Sequence, residues 1–372
     1  MPSSHIPLEQ RLQEKRVCVC VGAGGVGKTT ISAALGLGLA ARGRKVAVVS
    51  IDPAKRLAGA LGLKELTGEP RKMDEDTLAA HGISLEGELW AMMLDSKGTF
   101  DDLISRLSPD ERTREEVLSN RIYRELSSAV AGSQEFTAVA KLYELHTSGE
   151  WDAIVLDTPP SRDALDFLDA PDRLTRFLEG RALKVLMAPT SVTRGLLGRG
   201  AGLMLSMFAK VTGVNMIEEL SSFFGALGGL TDGFTERARG VERLLRNPET
   251  GFLIVTSPEH EPSREAGFLH AQLGREGMSF AGLIVNRFQD QGLEGHTPEQ
   301  VADLLAPPLD PGLATRLATN LSDLDVLARR DRESVAGLSL DFDEAQPLLV
   351  AQLAGDVQDL GGLWAIAEQL FA

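Results

Sequence analysis

The stretch Val17–Thr30, VCVCVGAGGVGKTT, constrains this chain more than any other. Five apolar residues run into a turn holding Gly22, Gly24, Gly25 and Gly27, and the turn closes on Lys28, Thr29 and Thr30. Residues 22–29 fit the spacing G-x-x-x-x-G-K-[ST], which works only between a strand and a helix. Glycines let successive N–H groups turn toward phosphate oxygens, and the helix start adds its positive dipole end. Gly24, Gly25, Val26 and Gly27 are therefore the expected cradle. Lys28 would neutralise β- and γ-phosphates, Thr29 would ligate Mg²⁺, and Thr30 would reach the α-phosphate.

Around this loop the sequence reads as α/β. Short runs rich in Val, Ile and Leu predict strands at Arg16–Val21, Lys45–Ile51, Leu89–Leu94, Asp152–Leu156, Phe252–Thr256 and Gly282–Val285. Their near-continuous apolar character suits strands covered on both faces, hence a mostly parallel sheet flanked by helices. The first long helix is expected over Lys28–Arg42, stopped by Gly43. Residues 1–372 read as a single P-loop domain. Regions of about 99–149 and 170–245 lack strand patterns and are expected to form an inserted helical subdomain. Beyond Phe288, the polar stretch with Pro307, Pro308 and Pro311 is expected to lead to two helices.

Three strand ends carry further chemistry. VVSIDPAKRL places Asp52 just past a strand, where active-site residues of open α/β sheets gather. A carboxylate there can orient a water attacking the γ-phosphate, although Asp-Pro is also a helix-start signal. WDAIVLDTPP ends an apolar strand at Asp157, the form of a Mg²⁺-holding aspartate. Arg162 lies five residues on and reads as a surface arginine or a charge stabiliser. GLIVNRF puts Asn286 past another strand, with a donor and an acceptor that suit an adenine edge.

Composition removes other classes. The 372 residues carry a net charge of -15, which is unlike a sequence-independent nucleic-acid binder or a protein adsorbed to anionic lipid. The polar N-terminus lacks a signal-peptide core, and no uncharged apolar run reaches the roughly 18 residues of a membrane span. Two cysteines, Cys18 and Cys20, form neither a disulfide framework nor a zinc pair, and a cytoplasmic location is expected. Hydride transfer is excluded, because the loop carries the phosphate-binding lysine and not G-x-G-x-x-G with a ribose-binding acid.

Together these pieces resemble the ArsA family of anion-transporting, or arsenical-pump, ATPases, which includes the targeting factor for tail-anchored membrane proteins. The segments that carry the resemblance are GAGGVGKTT, IDPAKRLAGALG, ELWAMMLD, QEFTAVAKLYEL, DAIVLDTPP, IVTSPE, GLIVNRF and PLLVAQLAGDVQDLGGL. It implies ATP binding, Mg²⁺-dependent hydrolysis and a homodimer that closes and opens with nucleotide state. It also implies Asp52 as the water-orienting carboxylate, Asp157 for Mg²⁺, Asn286 at adenine and Pro347 in a terminal loop over the base. Three departures stand against the family pattern. The signature lysine that reaches a partner's nucleotide falls at Ala23, with Lys55 and Arg56 as candidate substitutes. The zinc-binding Cys-x-x-Cys of the targeting factor is absent, and so is the arsenite-binding cysteine trio, so arsenite pumping is not expected.

The glycine- and methionine-rich segment 196–234 occupies the place of the targeting factor's client groove. Methionine suits a surface that accepts varied apolar partners, but a Met stripe at helical spacing also suits a lid packed on the sheet. Two readings of the ATPase remain open. One binds and releases a hydrophobic protein segment, a membrane-protein client. The other is a regulatory or partitioning-type ATPase acting on a folded partner.

Overall fold

The computed structural model describes residues 6–51, 56–120, 123, 133–159, 230–290, 292–293, 295–306, 308–342, 346–355, 357 and 359–372. Its strands are β1 (Val17–Val21), β2 (Lys45–Ser50), β3 (Arg71–Lys72), β4 (Glu88–Met93), β5 (Ala153–Asp157), β6 (Thr250–Thr256), β7 (Phe280–Phe288) and β8 (Leu348–Ala351). They form one sheet in the order β3-β4-β2-β5-β1-β6-β7-β8, parallel throughout except for β3 against β4. The chain is α/β as the apolar runs imply.

Helices are α1 (Leu8–Leu12), α2 (Lys28–Ala41), α3 (Arg56–Ala60), α4 (Glu75–Ala79), α5 (Ser96–Leu107), α6 (Glu111–Ser119), α7 (Ser133–Ser148) and α8 (Thr231–Leu245), followed by α9 (His260–Arg275), α10 (Pro298–Leu305), α11 (Pro311–Asp341) and α12 (Leu360–Leu370). The chain divides into two compact units, residues 1–93, 149–164 and 246–372 in one, 94–148 and 165–245 in the other. The first holds the whole sheet. In the second the described elements are α5 to α8, all helical.

In the sheet unit every residue of β1, β5 and β6 is buried, as expected of central strands covered on both faces. Helix α2 stops where its sequence says it should, with Gly43 left-handed at φ 83 just past the Arg42 cap. Arg42 then lies over the Phe371 ring, 4.2 Å from its centroid, and so ties α2 to the end of α12. The prolines near 307 separate α10 from α11 instead of preceding both. Helix α10 lies before them, and α11 runs unbroken for 31 residues from Pro311, capped by the Asp310 carboxylate on the Gly312 and Leu313 amides.

The helical unit has its own apolar centre, where Phe100 stacks with Tyr123 and tilts against Phe234. The Tyr123 hydroxyl donates to Asp101, and burial together with that carboxylate pushes the phenol well above its ordinary range. Arg106 pairs with Glu144 at 2.8 Å, which fixes α5 on α7. No helix among the described residues is long and apolar enough to cross a membrane.

Cys18 and Cys20 are free thiols with no exposed surface. Burial pushes Cys18 up to about 11 and Cys20 up to about 12, against an ordinary 9.0. A folded-state pKa above the unfolded one means stability that is complete below the unfolded value and lost as pH rises through the folded one. Conformational stability is therefore expected to decline above about pH 9. At pH 8 a thiol reagent should modify neither cysteine until denaturant unfolds the chain. Fast modification of the native protein would contradict this burial.

Candidate functional site

Strand β1 lies between β5 and β6, so the chain moves to opposite sides of β1 and leaves a crevice at its carboxyl end. The glycine-rich loop fills that position. Gly22 is at φ 153, Gly25 at φ 81 and Gly27 at φ 91, and Gly27 is the left-handed cap residue of α2. Two of these glycines are also demanded by close approach. A Cβ on Gly22 would lie 2.0 Å from the Val255 carbonyl oxygen of β6. One on Gly27 would lie 2.3 Å from Nδ2 of Asn286.

Lys28, the first residue of α2, is only 5% exposed. Its Nζ donates to the Gly22 carbonyl at 2.8 Å and the Ala23 carbonyl at 2.7 Å, so the ammonium lies folded against its own loop. Gly24 and Gly25 are exposed, Val26 is buried, and Thr29 and Thr30 are half-buried. Ala23 is 7% exposed and belongs with Val26 to the core cluster. Its methyl is a packing group, and a lysine at this position would have to leave the core to reach solvent.

The neighbouring strand ends are pinned to this loop. Asp157 closes β5 in register with Cys20 and Ser50, is fully buried, and accepts from the Ser50 hydroxyl at 2.8 Å. Thr158 follows and donates its hydroxyl to the Cys20 carbonyl at 2.7 Å. At the end of β7, Asn286 donates Nδ2 to the Val26 carbonyl at 2.8 Å. That bond orients the amide and leaves Oδ1 as the acceptor.

Two cavities open here. One, of about 570 Å³, is lined by Gly25, Gly27, Lys28, Thr29, Thr30 and Thr158 among others. The second, of about 610 Å³, is lined by Asn286, Gln352, Leu353, Gly355 and Ile366 among others. Gly27, Thr30, Arg56, Arg287 and Val357 line both, so the two are compartments of one crevice. The first offers loop backbone, an ammonium and hydroxyls. The second is predominantly polar, with the Asn286 amide, Arg56, Arg287 and Gln352 beside the apolar Leu353, Val357 and Ile366.

The anion-transporting ATPase family model matches residues 15–296, which includes the loop, Asp157 and Asn286. The chain belongs to the anion-transporting ATPase family. It is 29% identical over 283 residues to a putative arsenical pump-driving ATPase 1 of Aquifex aeolicus, a match covering 73% of this chain and 63% of that protein. It is 30% identical over 211 residues to the ATPase GET3 of Malassezia globosa, covering 55% and 58% respectively. An ATPase ASNA1 homolog of Babesia bovis is 28% identical over 268 residues, covering 72% of this chain and 64% of the homolog. In each case the chain spans less than two thirds of the relative's length.

Within this family member, several residues named from sequence meet at the crevice and others do not. Gly25, Gly27, Lys28, Thr29, Thr30 and Asn286 line it, Asp157 lies buried at the next strand end, and Arg56 reaches both compartments. Asp52 and Lys55 lie outside the described residues, as do Arg162 and most of the Met-rich segment. Pro347 is not among the lining residues. It precedes β8, at the far end of that strand from the crevice, whereas Ala351, Gln352, Leu353, Gly355 and Val357 supply the wall.

The sequence reading missed Arg287. It is the one described non-glycine residue with positive φ, at 59°. Left-handed backbone costs a residue with a long side chain roughly 1–2 kcal/mol. Val285 faces Leu349 of β8 and Phe288 faces Ala351, so Asn286 and Arg287 together oppose Val350 alone. This is a β-bulge at the mouth of the crevice. The sequence signal was slight, since arginine is no left-handed former and GLIVNRF keeps an ordinary strand pattern up to its end.

Proposed function

We propose that this chain is a Mg²⁺-dependent ATPase, working as a homodimer that closes and opens with nucleotide state. The observation that carries the reading is the Lys28 ammonium, buried on its own loop beside a compartment walled by Gly25, Gly27, Thr29 and Thr30. A triphosphate in that compartment would meet this charge already in place, with loop amides around it.

The residues fit a magnesium ion. Among the described residues no three His, Cys, Asp or Glu side chains converge as metal ligands. Mg²⁺ of this kind rests on phosphate oxygens, waters and one or two protein oxygens, for which the Thr29 hydroxyl and the Asp157 carboxylate are the candidates. When bound, the ion neutralises charge building up between the β- and γ-phosphates. Ser50 holds Asp157 in orientation. Asp52 is the proposed carboxylate for the attacking water, on the strength of its strand-end position and the family resemblance.

For the base, Asn286 presents Oδ1, an acceptor that matches the amino group of adenine and opposes the carbonyl of guanine. Leu353 and Val357 are better placed than Pro347 to wall the base. ATP is accordingly expected to bind at least about ten-fold more tightly than GTP, since an unpaired buried acceptor costs about 1–3 kcal/mol. Equal affinities in a competition titration would contradict this role of Asn286. Gly27→Ala is expected to raise the Kd for ADP at least about ten-fold, because the new Cβ collides with the Asn286 amide in a left-handed residue. Unchanged calorimetric affinity would count against that arrangement.

The proposed cargo is a hydrophobic segment of a membrane protein, in keeping with relatives named GET3. The test is Mg²⁺-ATPase activity and oligomer size with and without nucleotide, followed by binding of an apolar helical peptide. The cycle requires peptide affinity to change between ATP-bound and nucleotide-free protein. Affinity that ignores nucleotide state would end the cargo reading and leave a folded protein partner as the alternative.

A further inference from the structure

Consecutive residues of a strand point to opposite faces of its sheet, yet Asn286 and Arg287 line the same compartment. The bulge in β7 is what brings them to one side, at the expense of left-handed backbone at Arg287. Strain of this kind persists only where surrounding contacts impose it, and it gathers at ligand sites. The contacts that impose it here are plain. Gln352 donates its backbone N–H to the Phe288 carbonyl at 2.9 Å. The buried Asp331 of α11 accepts from the Gln289 amide at 3.0 Å, and Asp325, six residues before it in the helix, accepts from the Leu293 amide at 3.1 Å. A long helix thus braces the segment that leaves the bulge.

The side chain so displayed is exposed, and among the described residues its guanidinium has no carboxylate or hydrogen-bond partner. In a chain of net charge -15, a cation at a crevice with no carboxylate partner among the described residues is positioned for an external anion. Arg287 also lines the compartment of Lys28 and Thr29, so it stands where a phosphate chain entering from the loop would meet a nucleoside held by Asn286. A guanidinium is suited to that junction because its fork of donors pairs two phosphate oxygens at once.

We infer that Arg287 is a nucleotide-binding residue that grips the phosphate chain at its nucleoside end, a contact made possible by the bulge in β7. This rests on the nucleotide reading proposed above and goes beyond it in naming a second cation for the ligand.

Arg287→Gly separates charge from strain, since glycine adopts the left-handed backbone without steric strain. Its ligand-free melting temperature should equal or exceed that of the wild type, while its Kd for ADP and for ATP rises about ten-fold or more. Arg287→Lys, which keeps the charge and loses the fork, should fall between the two. The weak binding of adenosine, followed by ligand-observed NMR, should stay unchanged. If Arg287→Gly melts early, Arg287→Asn carries the comparison, because asparagine tolerates the same backbone. Wild-type affinity for ADP in the glycine variant would overturn the inference. An equal loss for adenosine would also overturn it, by assigning Arg287 to the base or to loop shape. Failure of the wild-type protein to bind ADP at all would instead remove the nucleotide reading on which the inference stands.

Discussion

Lys28→Ala is expected to lower Mg²⁺-ATP turnover by about 10³-fold or more, the scale seen when a cation facing transferring phosphate is removed. Two effects combine. The developing charge on the β- and γ-oxygens loses its nearest proposed countercharge. The Gly22 and Ala23 carbonyls also lose their shared donor, so the loop loses the brace that shapes it in the absence of ligand. The second effect is small for stability, about 1–3 kcal/mol, and should appear as a modest drop in melting temperature. Lys28→Arg is not a rescue. A planar guanidinium cannot occupy a socket in which the residue is 5% exposed and one nitrogen serves two carbonyls. Steady-state phosphate release at saturating ATP checks this, and turnover within ten-fold of wild type for Lys28→Ala would contradict it.

Gly22→Ala is expected to act on the fold as well as on the site. The added methyl would sit 2.0 Å from the Val255 carbonyl oxygen, a backbone atom of β6 that cannot rotate aside. Relief requires prising β1 from β6 where Val21 pairs with Ile254. Overpacking of this kind costs about 1–3 kcal/mol. A residue held at φ 153 adds strain of roughly 1–3 kcal/mol. Together these predict a melting temperature several degrees lower, together with loss of ADP binding in whatever protein remains folded. Gly274→Ala is the matching control. Gly274 lies in the last turn of α9 with nothing within 4 Å of a Cβ, so alanine there should be neutral or stabilising by up to about 1 kcal/mol. Equal denaturation midpoints for the two variants would show that the close approach at Gly22 is not what requires glycine.

The regions of this molecule legible in sequence are those where local chemistry and burial coincide. Strands β1 and β5 are apolar runs that lead into residues with an evident task, Gly22 just past β1 and Asp157 at the end of β5. Strand β3 could not be read, because Arg71 and Lys72 are both exposed and only their pairing with β4 makes them a strand. Strand β8 hid behind Pro347, in four residues whose burial alternates as befits a sheet edge. Asn286 stands out in the sequence only through its amide and the family resemblance, whereas its orientation comes from a carbonyl 260 positions away, Val26. Arg287 carries little sequence signal, because a bulge is a mismatch between two strands and cannot be seen in either one. Ala23 read as a missing lysine, and the loop turns that position into the core.

The central claim is that the loop between β1 and α2 holds the phosphates of an adenine nucleotide. Calorimetric titration of the purified chain with ADP and Mg²⁺ tests it most directly, with Gly27→Ala titrated beside it. Saturable binding at one nucleotide per chain is expected, weakened at least about ten-fold by the substitution that blocks the loop. No binding by the wild-type chain, or equal binding by both proteins, would contradict it.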